Sequence, residues 1–72
     1  MELRELAYVL SGDTKLCIEA KSRVDGAYTN VAVDVEMKDL GNCKYKDEEI
    51  VVMWPSGMNT MVVIVDKLVD CL

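Results

Sequence analysis

Leu3, Leu6, Ala7 and Leu10 recur at the spacing of one helical face, while Glu2, Arg4, Glu5 and Tyr8 point elsewhere, so residues 2–10 are expected to form a short amphipathic helix. Ser11-Gly12-Asp13 would end it, glycine accepting the left-handed cap conformation. A helix this short is not stable alone in water and has to dock on something. The next segment supplies the surface. Leu16, Ile18 and Ala20 alternate with Lys15, Cys17, Glu19 and Lys21, the period-two pattern of a half-buried strand. After the turn signal Asp25-Gly26, Thr29, Val31, Val33, Val35 and Met37 alternate with Asn30, Ala32, Asp34 and Glu36, giving a second strand and a β-hairpin with one apolar face. The apolar face of the helix, Leu3, Leu6 and Leu10, is expected to pack on Leu16, Ile18, Val31, Val33 and Val35.

Alternation stops between Lys38 and Glu49, where Leu40 and Tyr45 are the expected anchors of a long connection. Ile50 to Trp54 resumes as a β-branched run, Pro55 to Asn59 carries turn chemistry, and Thr60 to Val65 returns as a fourth strand. Both runs are almost continuously apolar, so both of their faces require cover. Residues 66–72 fit either a final helical turn through Leu68, Val69 and Leu72 or a prolonged strand through Lys67 to Val69. The expected fold is a single α+β domain over 1–72, with one N-terminal helix packed on a four-stranded, mainly antiparallel sheet of two hairpins.

Composition narrows the function classes. A net charge of −5 with no histidine, and no clustering of lysine or arginine, leaves no basic stripe to track phosphates, so direct nucleic-acid binding is not expected. The opening Met1-Glu2-Leu3-Arg4-Glu5 is unlike a signal peptide, and the longest apolar stretch, Met61 to Val65, is far short of the ~20 residues of a membrane span. Cys17, Cys43 and Cys71 are odd in number and widely spaced, as expected of reduced, non-catalytic thiols in a cytoplasmic protein.

The chemistry available is thin. Without an imidazole there is no general base for a serine or cysteine triad, and Cys43 beside Lys44 is the one adjacent thiol–amine pair. Asp34 and Glu36 share a strand face that should be wet, and the Asp47-Glu48-Glu49 run lacks the alternating oxygen ligands of a calcium loop. All four glycines are isolated, so no phosphate cradle occurs. No catalytic residue, metal ligand or cofactor is expected, and the chain is not expected to be an enzyme.

Trp54 stands out at a hairpin shoulder, beside Met53, Met58 and Met61. With Val52 and Val63 these residues form a candidate interaction patch, soft and apolar. The alternative is that Trp54 closes one end of a core too small to spare its only tryptophan. Glu19, Asp34, Glu36, Asp47, Glu48 and Glu49 form a candidate acidic face.

Leu3, Glu5-Leu6, Val9-Leu10, Asp13-Thr14-Lys15 and Ile18, with Leu40, Tyr45 and Glu49-Ile50 farther on, resemble a pattern found in short uncharacterised proteins of phages, prophages and Gram-positive bacteria. There a Leu-rich helix runs through an Asp-Thr-Lys turn into the first strand; Arg23 to Tyr28 and the tail beyond Asp66 depart from it. The resemblance implies a small α+β fold and a mobile-element origin, and it implies no activity.

Two functions follow as expectations. The first is a protein-interaction module, dimeric through itself and open to a host or phage protein, because a chain this short hides too little apolar surface in its own core. The second is an acidic phage-type inhibitor that mimics nucleic acid in the channel of a host defence nuclease.

Overall fold

A computed structural model describes residues 1–70. A 3₁₀ helix, Leu3–Tyr8, precedes strand β1 (Lys15–Ser22) and strand β2 (Tyr28–Glu36). A second 3₁₀ helix, Met37–Asn42, leads through an irregular connection to β3 (Ile50–Gly57) and β4 (Thr60–Val69). The four strands form one sheet in the order β2-β1-β4-β3. β1 pairs with β2, and β3 with β4, in antiparallel fashion. The two hairpins are joined by a parallel β1–β4 ladder, so the sheet is mixed, with two antiparallel ladders and one parallel.

The expected α-helix over residues 2–10 is instead six residues of 3₁₀ helix. With three residues per turn, Leu3 and Leu6 lie one above the other, and both are fully buried. Ala7, placed inward by a 3.6-residue period, falls outward and is exposed, while Leu10 packs from the following turn. The helix start is held from outside. The Leu3 and Arg4 amides donate to the carbonyls of Glu48 and Lys46, each at 2.9 Å, and the Glu2 amide donates to Glu5 Oε1 at 2.9 Å. Donors with no partner inside the helix are thereby satisfied. Met37 and Leu40 repeat the three-residue spacing in the second helix, also buried.

One face of the sheet carries the core. Leu16, Ile18 and Ala20 of β1 and Val63 and Val65 of β4 pack against Leu3, Leu6, Met37, Leu40 and Tyr45. Leu40 and Tyr45 thus pin the connection between β2 and β3, and the Tyr45 ring lies within 5.6 Å of Lys44 Nζ.

β2, the segment with the most regular alternation, is the one that breaks it. Leu16 pairs with Val35 and Ile18 with Ala32, so three steps on β2 match two on β1; a second slip follows before Glu19 and Asn30. Asp34 absorbs the first break in the left-handed region, at φ 53°. Val31, Ala32 and Val35 therefore pack on the core, and Val33 is turned out, 60 % exposed.

β3 runs through Pro55, which an edge strand tolerates, and the hairpin closes over Met58-Asn59 with Asn59 at φ 58°. The tail is strand, not helix, to Val69. Between the β1 partners Glu19 and Lys21, β4 advances from Ile64 to Leu68, so a bulge around Asp66 and Lys67 bends the strand and lets both charges reach solvent. Leu72, which the helical alternative needed, lies outside the described residues.

Leu6, with Leu3, docks the N-terminal helix on the sheet. Leu6→Ala is expected to lower stability by ~2–5 kcal/mol through the cavity it leaves. Chemical denaturation of the two chains checks this, with an unchanged midpoint contradicting the docking.

Candidate functional site

The second face of the sheet has no layer over it. Both 3₁₀ helices and Tyr45 contribute to the core on the first face, and none of the described segments crosses the other. Strand pairing lays this open face out in cross-strand rows. Lys15 sits beside Glu36, Thr60 and Gly57; Cys17 beside Val62 and Trp54; Glu19 beside Asn30, Ile64 and Val52; and Lys21 beside Tyr28 and Leu68. The face is therefore divided. Its β3–β4 half is apolar, and its β1–β2 half carries the charges.

Val62 and Ile64, on a central strand, are buried and add little to the accessible surface of this face. Trp54 (41 % exposed), Val52 (45 %) and Leu68 (50 %) present the accessible apolar surface, with Tyr28 at the far end. Trp54 is absent from the core cluster and does not close it.

The nominated interaction residues are not all brought together. Val52 and Trp54 share the open face, whereas Val63 points into the core and is fully buried. It is unavailable to any partner, because the continuous apolar run hid which of its positions faced the helices. Met61 packs on the core, Met53 pairs with Val63 on that same side, and Met58 is at the hairpin tip. Leu68, Ile64, Val62 and Tyr28 complete the open face and were missed by sequence reasoning. The even-numbered parity of Val52, Trp54, Val62 and Ile64 was a usable signal; Leu68 depends on the bulge and was not.

The acidic residues are dispersed. Glu19 is on β1, while Asp34 and Glu36 lie on the β2 edge and Asp47 to Glu49 lead into β3 at the opposite edge. Most have a cation at hand: Glu36 with Lys38 (3.4 Å), Asp47 with Arg4 (3.8 Å), Glu48 with Lys67 (3.9 Å), and Glu49 with the Met1 amino group (2.9 Å). That hydrogen bond from Met1, together with the charge of Glu49, raises the pKa of the amino group. Among the described residues no group of acids, cysteines or histidines is arranged to hold a metal ion.

Cys17 and Cys43 are free thiols; Cys71 lies outside the described residues. Cys43 is half-buried against the core. Cys17 Sγ donates to Asn30 Oδ1 at 3.3 Å, and burial, then Glu19 and Asp34, push its thiol above the ordinary range. A cleft of about 630 Å³ between the β2 start, Tyr45 and the β4 end is lined by Lys44, Lys67 and Val69 among others, and it contains none of the nominated residues. No helix among the described residues is long and apolar enough to cross a membrane. No protein-family model, curated protein or solved structure matches the chain.

A raised thiol pKa makes Cys17 a slow nucleophile at neutral pH, since the thiolate is the reacting form. In a chain with Cys43 and Cys71 replaced by serine, iodoacetamide alkylation of the folded protein is expected to climb with a midpoint above that of the urea-unfolded chain. Mass spectrometry across a pH series checks it; coincident midpoints contradict the environment described.

Proposed function

We propose that the chain is a non-enzymatic protein-interaction module that self-associates, as a dimer, through the open face of its sheet. One observation carries the reading: β4 continues in the plane of the sheet to Val69, so it leaves Val52, Trp54 and Leu68 uncovered instead of folding back over them. A small domain gains stability by hiding such a surface in a partner, and two-fold contacts are the commonest closed solution. The absence of histidine and the cation pairing of most of the acids support a role without catalysis. The likeness of the opening residues to phage and prophage proteins supports a mobile-element origin. In that setting the dimer works in the cytoplasm, with a host or phage protein as a further partner.

The acidic-inhibitor reading draws less support. A phosphate mimic requires a continuous stripe of unneutralised carboxylates, and here the acids are split between opposite sheet edges and largely paired.

Light scattering of the full chain at micromolar concentration tests the proposal, with a dimer mass expected and a monomer mass overturning it. Val52→Asp is expected to give a folded monomer by circular dichroism and light scattering. Val63→Asp is expected to unfold the chain instead, because an unpaired carboxylate in the core costs more than a domain of this size has in reserve.

A further inference from the structure

We infer that the occupant of the open face is a second copy of this chain, packed face to face with its β4 antiparallel over β4, about a two-fold axis that runs across the strands along the row Cys17–Val62–Trp54. This rests on the self-association proposed above and specifies its geometry.

The size of the face selects the kind of occupant. Strands of eight to ten residues, set ~4.8 Å apart, give a face about 19 Å by 27 Å. A single docked helix, ~10 Å across, covers about half of that. A second sheet of identical outline reaches across all four strands, at the ~10 Å separation of packed sheets.

The charges select the axis. A two-fold parallel to the strands and midway between β1 and β4 lays β4 of one copy over β1 of the other, which sets Ile64 on Glu19 and Leu68 on Lys21. An axis across the strands stacks the apolar halves on each other instead, and its position along the strands decides the charge pairing. Along the Glu19 row it puts Glu19 on Glu19. Midway between the Cys17 and Glu19 rows it puts Lys15 on Lys21. Along the Cys17 row it puts Lys15 on Glu19 of the second copy, twice by symmetry.

The same placement matches shape. The Ile64 and Val52 row of one copy falls on the Thr60 and Gly57 row of the other, and Gly57 has open space where a side chain would stand. Trp54 meets Trp54 and Cys17 meets Cys17 on either side of the buried Val62.

Two measurements test this on the full chain. With Cys43 and Cys71 replaced by serine, a short bismaleimide is expected to cross-link the dimer through Cys17. The same background carrying Cys17→Ser and Tyr28→Cys is expected not to cross-link, because row 21 overhangs the axis. Lys15→Glu and Glu19→Lys are each expected to weaken dimerisation roughly ten-fold by sedimentation equilibrium, and the double exchange to restore it, since close interfacial charge pairs are coupled. Circular dichroism confirms that each variant is folded. A monomeric unsubstituted chain overturns the proposed self-association itself. A dimer that fails to cross-link at Cys17, or whose exchanged charges do not restore affinity, overturns this geometry and leaves self-association standing.

Discussion

The parallel ladder between β1 and β4 is the contact on which the rest of the structure depends. Each hairpin alone is a two-stranded ribbon with too little apolar surface to persist in water. Joined at their inner strands, the ribbons give one sheet whose central pair, Leu16 and Ile18 beside Met61 and Val63, is the floor on which Leu3, Leu6, Leu40 and Tyr45 settle. The helices cannot supply that floor. They are single 3₁₀ segments with poor internal hydrogen bonding, and they persist because the sheet buries their leucines and, for the first, because the Lys46 and Glu48 carbonyls receive its amides.

The same ladder creates the uncovered face. Two hairpins joined side by side make a wide, thin sheet, and the short connections hold only enough apolar material for one side. Residues 37–49 are spent on the core face through Met37, Leu40 and Tyr45. The run Val62-Val63-Ile64-Val65 is apolar at every position because Val63 and Val65 fill the core while Val62 and Ile64 serve the open side. A segment with one wet face would have alternated.

Much of this was legible in the residues. The inward set of β1 followed from strict alternation, and the anchors Leu40 and Tyr45 stood out as lone apolar residues in a polar connection. Val33 was misread because alternation assumes an unbroken ladder, and the breaks around Asp34 and Val31 are set by pairing with β1, not by local preference. The second helix did carry a signal, Met37 and Leu40 at the same three-residue interval as Leu3 and Leu6, but one turn is too short for a period to emerge. The parallel join was not legible at all, since two hairpins can be set side by side in more than one order and nothing local distinguishes them. At the candidate site, Trp54 and Val52 were visible by their chemistry, and Leu68 was not, because a bulge decides which way it points.

The β1–β4 ladder pairs Lys15 with Thr60 and Ser22 with Val69, so the floor of the core is assembled from strands at opposite ends of the described chain. Loop closure over such a separation has to precede the contacts that reward it, which places this small domain among slow-folding topologies despite its size. During synthesis the β1–β2 hairpin leaves the ribosome well before β4 does. Until β4 arrives, the inner edge of β1 offers its unpaired amides and carbonyls to any extended segment, including β4 of a neighbouring nascent chain. An exchange of that strand between copies would preserve every pairing of the sheet, so the topology that makes the monomer also gives it a route to swapped assemblies at high expression.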